Sequence, residues 1–121
     1  MKWRKKRAFT LVEIMIVILI IGILLAIAIP NFMTARDTSR SNACISNLEE
    51  ISAAKEQLAM DQRLTDSVVP TQSQLVPTYI KSWPLCPSKG VYTINQVGGT
   101  AAQSDPTCSI GGTHSLATVG Q

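Results

Sequence analysis

The sequence predicts an α+β protein: a long N-terminal α-helix, membrane-anchoring in its first part and amphipathic in its second, with a small C-terminal β-hairpin head packed on it. Three observations carry this prediction. Residues 9–29 form an apolar run in which only Thr10 and Glu13 are polar. Apolar side chains then recur at helical spacing between Cys44 and Leu58, and residues 91–97 are rich in β-branched and aromatic side chains.

The apolar run from Phe9 to Ile29 is long enough to cross a membrane. Its 21 residues would form a helix about 31 Å long, which matches the hydrocarbon thickness of a bilayer. Five of the eleven basic residues precede the run, whereas residues 31–121 carry six basic and seven acidic side chains. The positive-inside bias therefore puts the N-terminus in the cytoplasm and the head outside the inner membrane. The balanced charge of the head predicts no direct nucleic-acid binding.

Glu13 is the one charged residue inside this run. A carboxylate at the middle of a membrane span costs about 2.5–3.5 kcal/mol on insertion scales, so it needs a partner or a position near the interface. A secretory signal peptide would have a shorter, uncharged apolar region of about 7–15 residues. A plain membrane anchor fits the length but leaves Glu13 unexplained, except that an acid near a helix start faces the positive end of the helix dipole favourably.

The string Lys6-Arg7-Ala8-Phe9-Thr10-Leu11-Val12-Glu13 resembles the N-terminal signal of type IV pilins and type II secretion pseudopilins. The resemblance implies that a prepilin peptidase removes residues 1–8 as a cytoplasmic leader, by cutting between Ala8 and Phe9. It also implies that Phe9 is then N-methylated. Ala8 stands where the family usually has Gly, and a small side chain still suits a tight protease subsite.

The same resemblance supplies a partner for Glu13. Cleavage would create an α-amine on Phe9, four residues before Glu13 and about 6 Å from it along a helix. In the family, the equivalent Glu is thought to meet the amine of a neighbouring subunit as the subunits join a helical filament. Two unit charges about 4 Å apart attract by about 4 kcal/mol at an effective dielectric constant of about 20.

The resemblance also implies a function, partners and a location. The chain would be a structural subunit that forms a helical filament with its own copies and other pilin-like subunits, after leaving the inner membrane for the periplasm or the cell exterior. An inner-membrane platform protein and an assembly ATPase would drive this transfer. The filament type, whether pilus, secretion pseudopilus or DNA-uptake system, stays open. The alternative is a monomeric, membrane-anchored or secreted binding protein with a small head.

Two residues are expected to make the helix pliable. Pro30 removes one backbone hydrogen bond and predicts a kink, which is either a bend at the membrane surface or, as the resemblance implies, a place where the helix bends or unwinds in the filament. Gly22 weakens the helix by about 1 kcal/mol relative to Ala.

After Pro30 the helix is expected to continue as an amphipathic segment over residues 30–63, because Cys44, Leu48, Ile51, Ala54 and Leu58 share one face. Residues 64–121 would form the head. Thr71 and Gln74 have capping-box spacing and predict a short helix. Residues 91–97 and 107–110 predict the two antiparallel strands of a hairpin.

Three cysteines allow three single disulfides. We favour a bond between Cys86 and Cys108, which would close a loop of about 22 residues and stabilise the head by about 3 kcal/mol. Cys44 is an alternative partner or a small buried apolar residue.

The sequence offers no catalytic set and predicts neither an enzyme, a cofactor nor a metal site. The one histidine, His114, has no acid or Cys at a ligand spacing and is predicted to be a solvent-facing residue of the C-terminal tail. The glycine pairs at 98–99 and 111–112 lack the context of a phosphate-binding loop and predict turns.

Overall fold

The computed structural model describes residues 7–118. Most of the predicted leader, residues 1–6, lies outside this range. The chain groups into two compact units, the first ending at Arg36 and the second beginning at Asp37. The elements are α1 (Leu11–Gln62), α2 (Gln72–Leu75), β1 (Tyr92–Thr93), α3 (Ala101–Ser104), β2 (Thr107–Cys108) and a 3-10 turn (Leu116–Thr118). A long N-terminal helix and a small antiparallel sheet confirm the predicted α+β class.

Helix α1 begins at a hydrogen-bonded cap. Thr10 Oγ1 accepts a hydrogen bond from the Glu13 backbone N–H at 3.2 Å, and the Thr10 carbonyl accepts one from the Ile14 N–H at 3.4 Å. Thr10 is therefore the N-cap residue, and Glu13 lies in the first turn, where a negative charge faces the positive end of the helix dipole. The helix starts at Leu11, two residues after the predicted start, because a cap residue is itself not helical.

The first part of α1 exposes its apolar side chains on all sides. Leu11 is 75% exposed and Leu24 61% exposed, and the other large apolar residues up to Met33 are exposed as well. Among the described residues, α1 is the helix that is long and apolar enough to cross a membrane: its most apolar 18-residue window has a mean hydropathy of 3.2, and none of that window is buried. A helix that is apolar all round requires lipid or other helices as its surroundings.

Pro30 lies inside α1, and the helix continues on both sides of it. The Thr34 hydroxyl donates a hydrogen bond to the Pro30 carbonyl at 3.2 Å. At Gly22, an added Cβ would meet no atom within 4 Å. The kink attributed to these two residues remains a prediction.

The second part of α1 provides the core of the second unit. Leu48, Ile51 and Leu58 are fully buried, as the apolar stripe predicted, and they pack with Leu75 and Ile80 of the head. Helix α1 ends at Gln62, one residue before the predicted end of the helical segment. It stops there because Arg63 adopts a left-handed conformation with φ of 50°. The Leu64 N–H then donates to the Ala59 carbonyl at 3.0 Å, which satisfies a free carbonyl of the last turn.

The β-hairpin is shorter than predicted. Strand β1 pairs antiparallel with β2, with Tyr92 opposite Cys108 and Thr93 opposite Thr107. The second half of the predicted first strand instead pairs with the loop after α1: the Val97 N–H donates to the Val68 carbonyl at 2.8 Å, and the Ser67 N–H donates to the Val97 carbonyl at 2.9 Å. The predicted strand of residues 91–97 is therefore wrong in extent, because two different partners share its backbone hydrogen bonds.

One short helix, α2, precedes the hairpin, and another, α3, lies between its two strands. Helix α2 follows the predicted capping pair, with the Thr71 backbone N–H donating to Gln74 Oε1 at 2.8 Å. Helix α3 was not predicted, although Thr100 and Gln103 have the same spacing. Its last carbonyl, at Ser104, accepts a hydrogen bond from Lys55 Nζ, which also donates to the Gln96 carbonyl at 3.1 Å. These two carbonyls hold the Lys55 ammonium group in a buried position.

Candidate functional site

The predicted processing and assembly residues lie together at the start of α1. One shallow cavity of about 390 Å³ is lined by Arg7, Ala8, Phe9 and Glu13, and Phe9 is 79% exposed. Within residues 7–118, the hydrogen bond at Glu13 uses its backbone N–H, and no basic side chain pairs with its carboxylate. The site therefore presents an accessible backbone segment followed by an acid that lacks a counter-ion in this part of the chain.

An apolar groove follows directly along the same helix. Its volume is about 840 Å³. Gly22 contributes to it, where the missing side chain leaves open space. The lining residues are Val12, Met15, Ile16, Ile18, Leu19, Gly22, Ile23 and Ala26. A continuous exposed apolar surface of this kind marks a membrane or protein contact.

A second group of reactive side chains lies in the second unit. Cys44 of α1, Cys86, Cys108 of β2 and His114 are all buried, and their sulfur and ring-nitrogen atoms lie within 4.8 Å of one another. The Sγ atoms of Cys86 and Cys108 are 3.7 Å apart. Cys86 Sγ is 4.0 Å from His114 Nδ1.

The prediction that His114 is solvent-facing is wrong, since the residue is 8% exposed. Two consecutive turns bring it back to the hairpin. The Gly111 N–H donates to the Cys108 carbonyl and the His114 N–H donates to the Gly111 carbonyl, both at 3.0 Å. Gly111 and Gly112 adopt φ of 68° and 54°, a conformation that glycine adopts at little cost. The Ser41 hydroxyl of α1 also donates to the Thr113 carbonyl.

The chain around Cys86 folds into a tight turn, in which the Lys89 N–H donates to the Cys86 carbonyl at 3.0 Å. Lys89 has φ of 62°. At Gly90, an added Cβ would lie 2.5 Å from Cys108 Sγ and 3.2 Å from Cys86 Sγ. Only glycine fits there, because any Cβ would displace the sulfur atoms.

The environments of the thiols differ. Burial raises the pKa of Cys44, which lies beyond the apolar part of α1, to about 12. Burial also opposes ionisation of Cys86, but hydrogen bonds from the Gly90 and Ser88 backbone and from the Cys108 and Cys44 side chains together lower the pKa of that thiol. The Cys86 turn is thus arranged to favour a thiolate.

The three cysteines are unbonded in this structure. The favoured pair, Cys86 and Cys108, has the shortest described sulfur contact, but a disulfide requires a separation of about 2.05 Å. The Cys86–Cys108 bond remains a prediction. Cys44 is buried, in line with one of its two predicted alternatives.

These features define a class of protein. A capped helix start with an accessible acid, an exposed apolar half-helix and a small α+β head are the parts of a membrane-anchored, pilin-like subunit. The comparisons with known proteins agree. Residues 3–29 match the family model described as the prokaryotic N-terminal methylation motif.

Three curated relatives show where the similarity lies. The type II secretion system core protein G of Klebsiella michiganensis is 29% identical over 112 residues, which cover 81% of this chain and 79% of that protein. The type IV major pilin PilA of Myxococcus xanthus is 47% identical over 51 residues, covering 42% and 23%. The wide pilus major component PilA4 of Thermus thermophilus is 33% identical over 81 residues, covering 67% and 60%.

The match therefore spans less than two thirds of the length of the two pilins. No solved structure matches the chain significantly. The motif and the relatives place this chain in the family of type IV pilins and type II secretion pseudopilins. By their names the relatives are a core protein of type II secretion systems and major components of type IV pili.

Proposed function

We propose that this chain is a structural subunit that polymerises into a type IV pilus-like or type II secretion pseudopilus filament. The precursor spans the inner membrane once, with its N-terminus in the cytoplasm and its head outside. Prepilin peptidase cuts between Ala8 and Phe9 and methylates Phe9. A platform protein and an assembly ATPase then transfer the subunit from the membrane to a filament made of further copies and other pilin-like subunits.

The observation that carries the proposal is an accessible Ala8–Phe9 segment close to an exposed Glu13 at the start of an apolar helix, where no basic side chain of residues 7–118 pairs with the carboxylate. Before cleavage, Phe9 has an uncharged backbone amide. After cleavage it has a cation, whose attraction to a carboxylate about 4 Å away is about 4 kcal/mol at an effective dielectric constant of about 20. This attraction offsets the cost of removing both charges from water.

The exposed apolar half of α1 supports the same proposal. Side chains from Leu11 to Met33 are largely exposed, and burying apolar surface contributes about 25 cal/mol per Å². In the membrane, lipid covers this surface; in a filament, the same helices of neighbouring subunits cover it. Gly22 lines the groove without a side chain, which allows close approach of a neighbouring helix.

Mass spectrometry of the native protein tests the processing step. We expect a mature chain that begins at N-methylated Phe9. Ala8→Gly should be processed like the native protein, because glycine is the family's usual residue at this place. Ala8→Leu should retain residues 1–8, because its side chain is too large for a subsite that accepts Ala or Gly.

Two results would contradict this proposal. A native chain that begins at Met1 and still functions would fit a plain membrane anchor. A chain that begins at Asn31 would fit a secreted binding protein released by signal peptidase.

A further inference from the structure

We propose that Cys44, Cys86, Cys108 and His114 bind one structural Zn²⁺ ion, which fastens the head to the second part of α1. The four residues are buried and their donor atoms lie within 4.8 Å of one another. Three thiolates and one imidazole form a common ligand set of structural zinc sites. All four belong to the second unit, so the site does not depend on filament assembly.

The separations of the donor atoms fit a tetrahedral ion. Zn–S bonds of about 2.3 Å and Zn–N bonds of about 2.0–2.1 Å imply an S–S separation of about 3.8 Å and an S–N separation of about 3.6 Å. The Cys86 and Cys108 sulfurs are 3.7 Å apart. Cys86 Sγ and His114 Nδ1 are 4.0 Å apart, and every other pair of donor atoms lies within 4.8 Å.

The backbone beside Cys86 leaves room for two ligand sulfurs. The chain turns tightly after Cys86, where the Lys89 N–H donates to the Cys86 carbonyl at 3.0 Å. Gly90 leaves the room that both sulfurs occupy, since its Cβ would lie 2.5 Å from Cys108 Sγ. A buried thiol that only filled space would not require this arrangement.

The donor set also indicates which ion binds and what it does. Soft thiolates with an imidazole select zinc over magnesium or calcium, which prefer oxygen ligands. Four protein ligands fill a tetrahedral site and leave no open position for substrate, so the role is structural. The ion would join α1 to three segments of the small head, namely the turn at Cys86, strand β2 and the C-terminal loop, and small domains commonly need such a link.

The metal site explains more of the cluster than a disulfide does. A Cys86–Cys108 bond would use two of the four groups and leave Cys44 and His114 buried without a role. Zinc binding uses all four, because each thiol loses its proton to the solvent and becomes a ligand. It also accounts for the double turn that returns His114 to the hairpin.

The test uses the full-length chain in detergent micelles, purified without reductant and dialysed against Zn²⁺. We expect one zinc per chain, measured by elemental analysis, and replacement by Co²⁺ to give the intense visible absorption of a tetrahedral thiolate site. Cys44→Ser and His114→Ala should each weaken Zn²⁺ affinity by at least about 100-fold, which is the upper end of the loss seen for outer-shell changes. Ser46→Ala is the matched control, because Ser46 is exposed on the same helix as Cys44 and lies outside the cluster, so the affinity should be unchanged.

A second measurement on the unaltered chain keeps the proposal falsifiable if a variant does not fold. All three cysteines should resist alkylation with zinc present and react after a chelator is added, without reductant. Chains that remain free of zinc after dialysis, or that show one alkylatable thiol and a Cys86–Cys108 disulfide, would overturn the proposal.

Discussion

Glu13→Gln is expected to abolish filament assembly while leaving membrane insertion and the head intact. Glutamine keeps the size of the side chain and can occupy the same position in a capping box, so the start of α1 at the Thr10 cap is preserved. The substitution removes the negative charge alone. Losing an attraction of about 4 kcal/mol per contact weakens each subunit association by about a thousandfold.

Glu49→Gln is the matched control for this experiment. Glu49 is an exposed acid on the same helix but in the second unit. Its charge therefore lies outside the apolar part of α1. Sheared surface fractions examined by electron microscopy should contain filaments for the native chain and for Glu49→Gln. They should contain none for Glu13→Gln, while carbonate extraction finds all three proteins in the membrane fraction. Normal filaments from Glu13→Gln would contradict the role given to the carboxylate.

Leu48→Ala is expected to destabilise the head by about 2–5 kcal/mol, the range measured for truncating a buried leucine. Leu48 is fully buried where α1 meets the head, among Cys44, Ile51 and Leu75. The free energy of unfolding of a small domain is about 5–15 kcal/mol, so this loss is a large part of the total.

Met60→Ala controls for the change in side-chain size. Met60 lies on the same helix but is 76% exposed, so its truncation should alter stability by less than about 0.5 kcal/mol. Unfolding can be followed by the fluorescence of Trp83, which packs against the core, in a Trp3→Phe background that leaves it the sole tryptophan. Equal unfolding midpoints for Leu48→Ala and Met60→Ala would show that the apolar stripe of α1 does not form the core of the head.

The sequence contained enough information for the long-range features of the fold. The apolar run and the spacing of Leu48, Ile51 and Leu58 depend on helical periodicity over many residues, which a single sequence displays directly. The short head elements were harder. The β-branched residues after Thr93 favour a strand, but they do not tell whether their partner is β2 or the loop at Val68, and the structure uses the loop.

The two candidate sites also differ in how far the sequence alone predicts them. The Ala8, Phe9 and Glu13 site is contiguous in sequence, so a motif could identify it. Thr10 was missed as the helix cap although Thr-x-x-Glu has capping spacing. The cysteine and histidine cluster joins residues up to 70 positions apart, from Cys44 to His114. Turns at Gly111 and Gly112 bring His114 to the thiols, and a single sequence does not display tertiary contacts such as the hydrogen bond from Ser41 to the Thr113 carbonyl.

A helical reconstruction of native filaments by cryo-electron microscopy tests the central claim most directly. The account predicts that the methylated amine of Phe9 lies within about 4 Å of the Glu13 carboxylate of an adjoining subunit, inside a core made of the apolar halves of α1. A filament in which residues 1–8 are retained, or in which Glu13 faces solvent with no amine nearby, would contradict it.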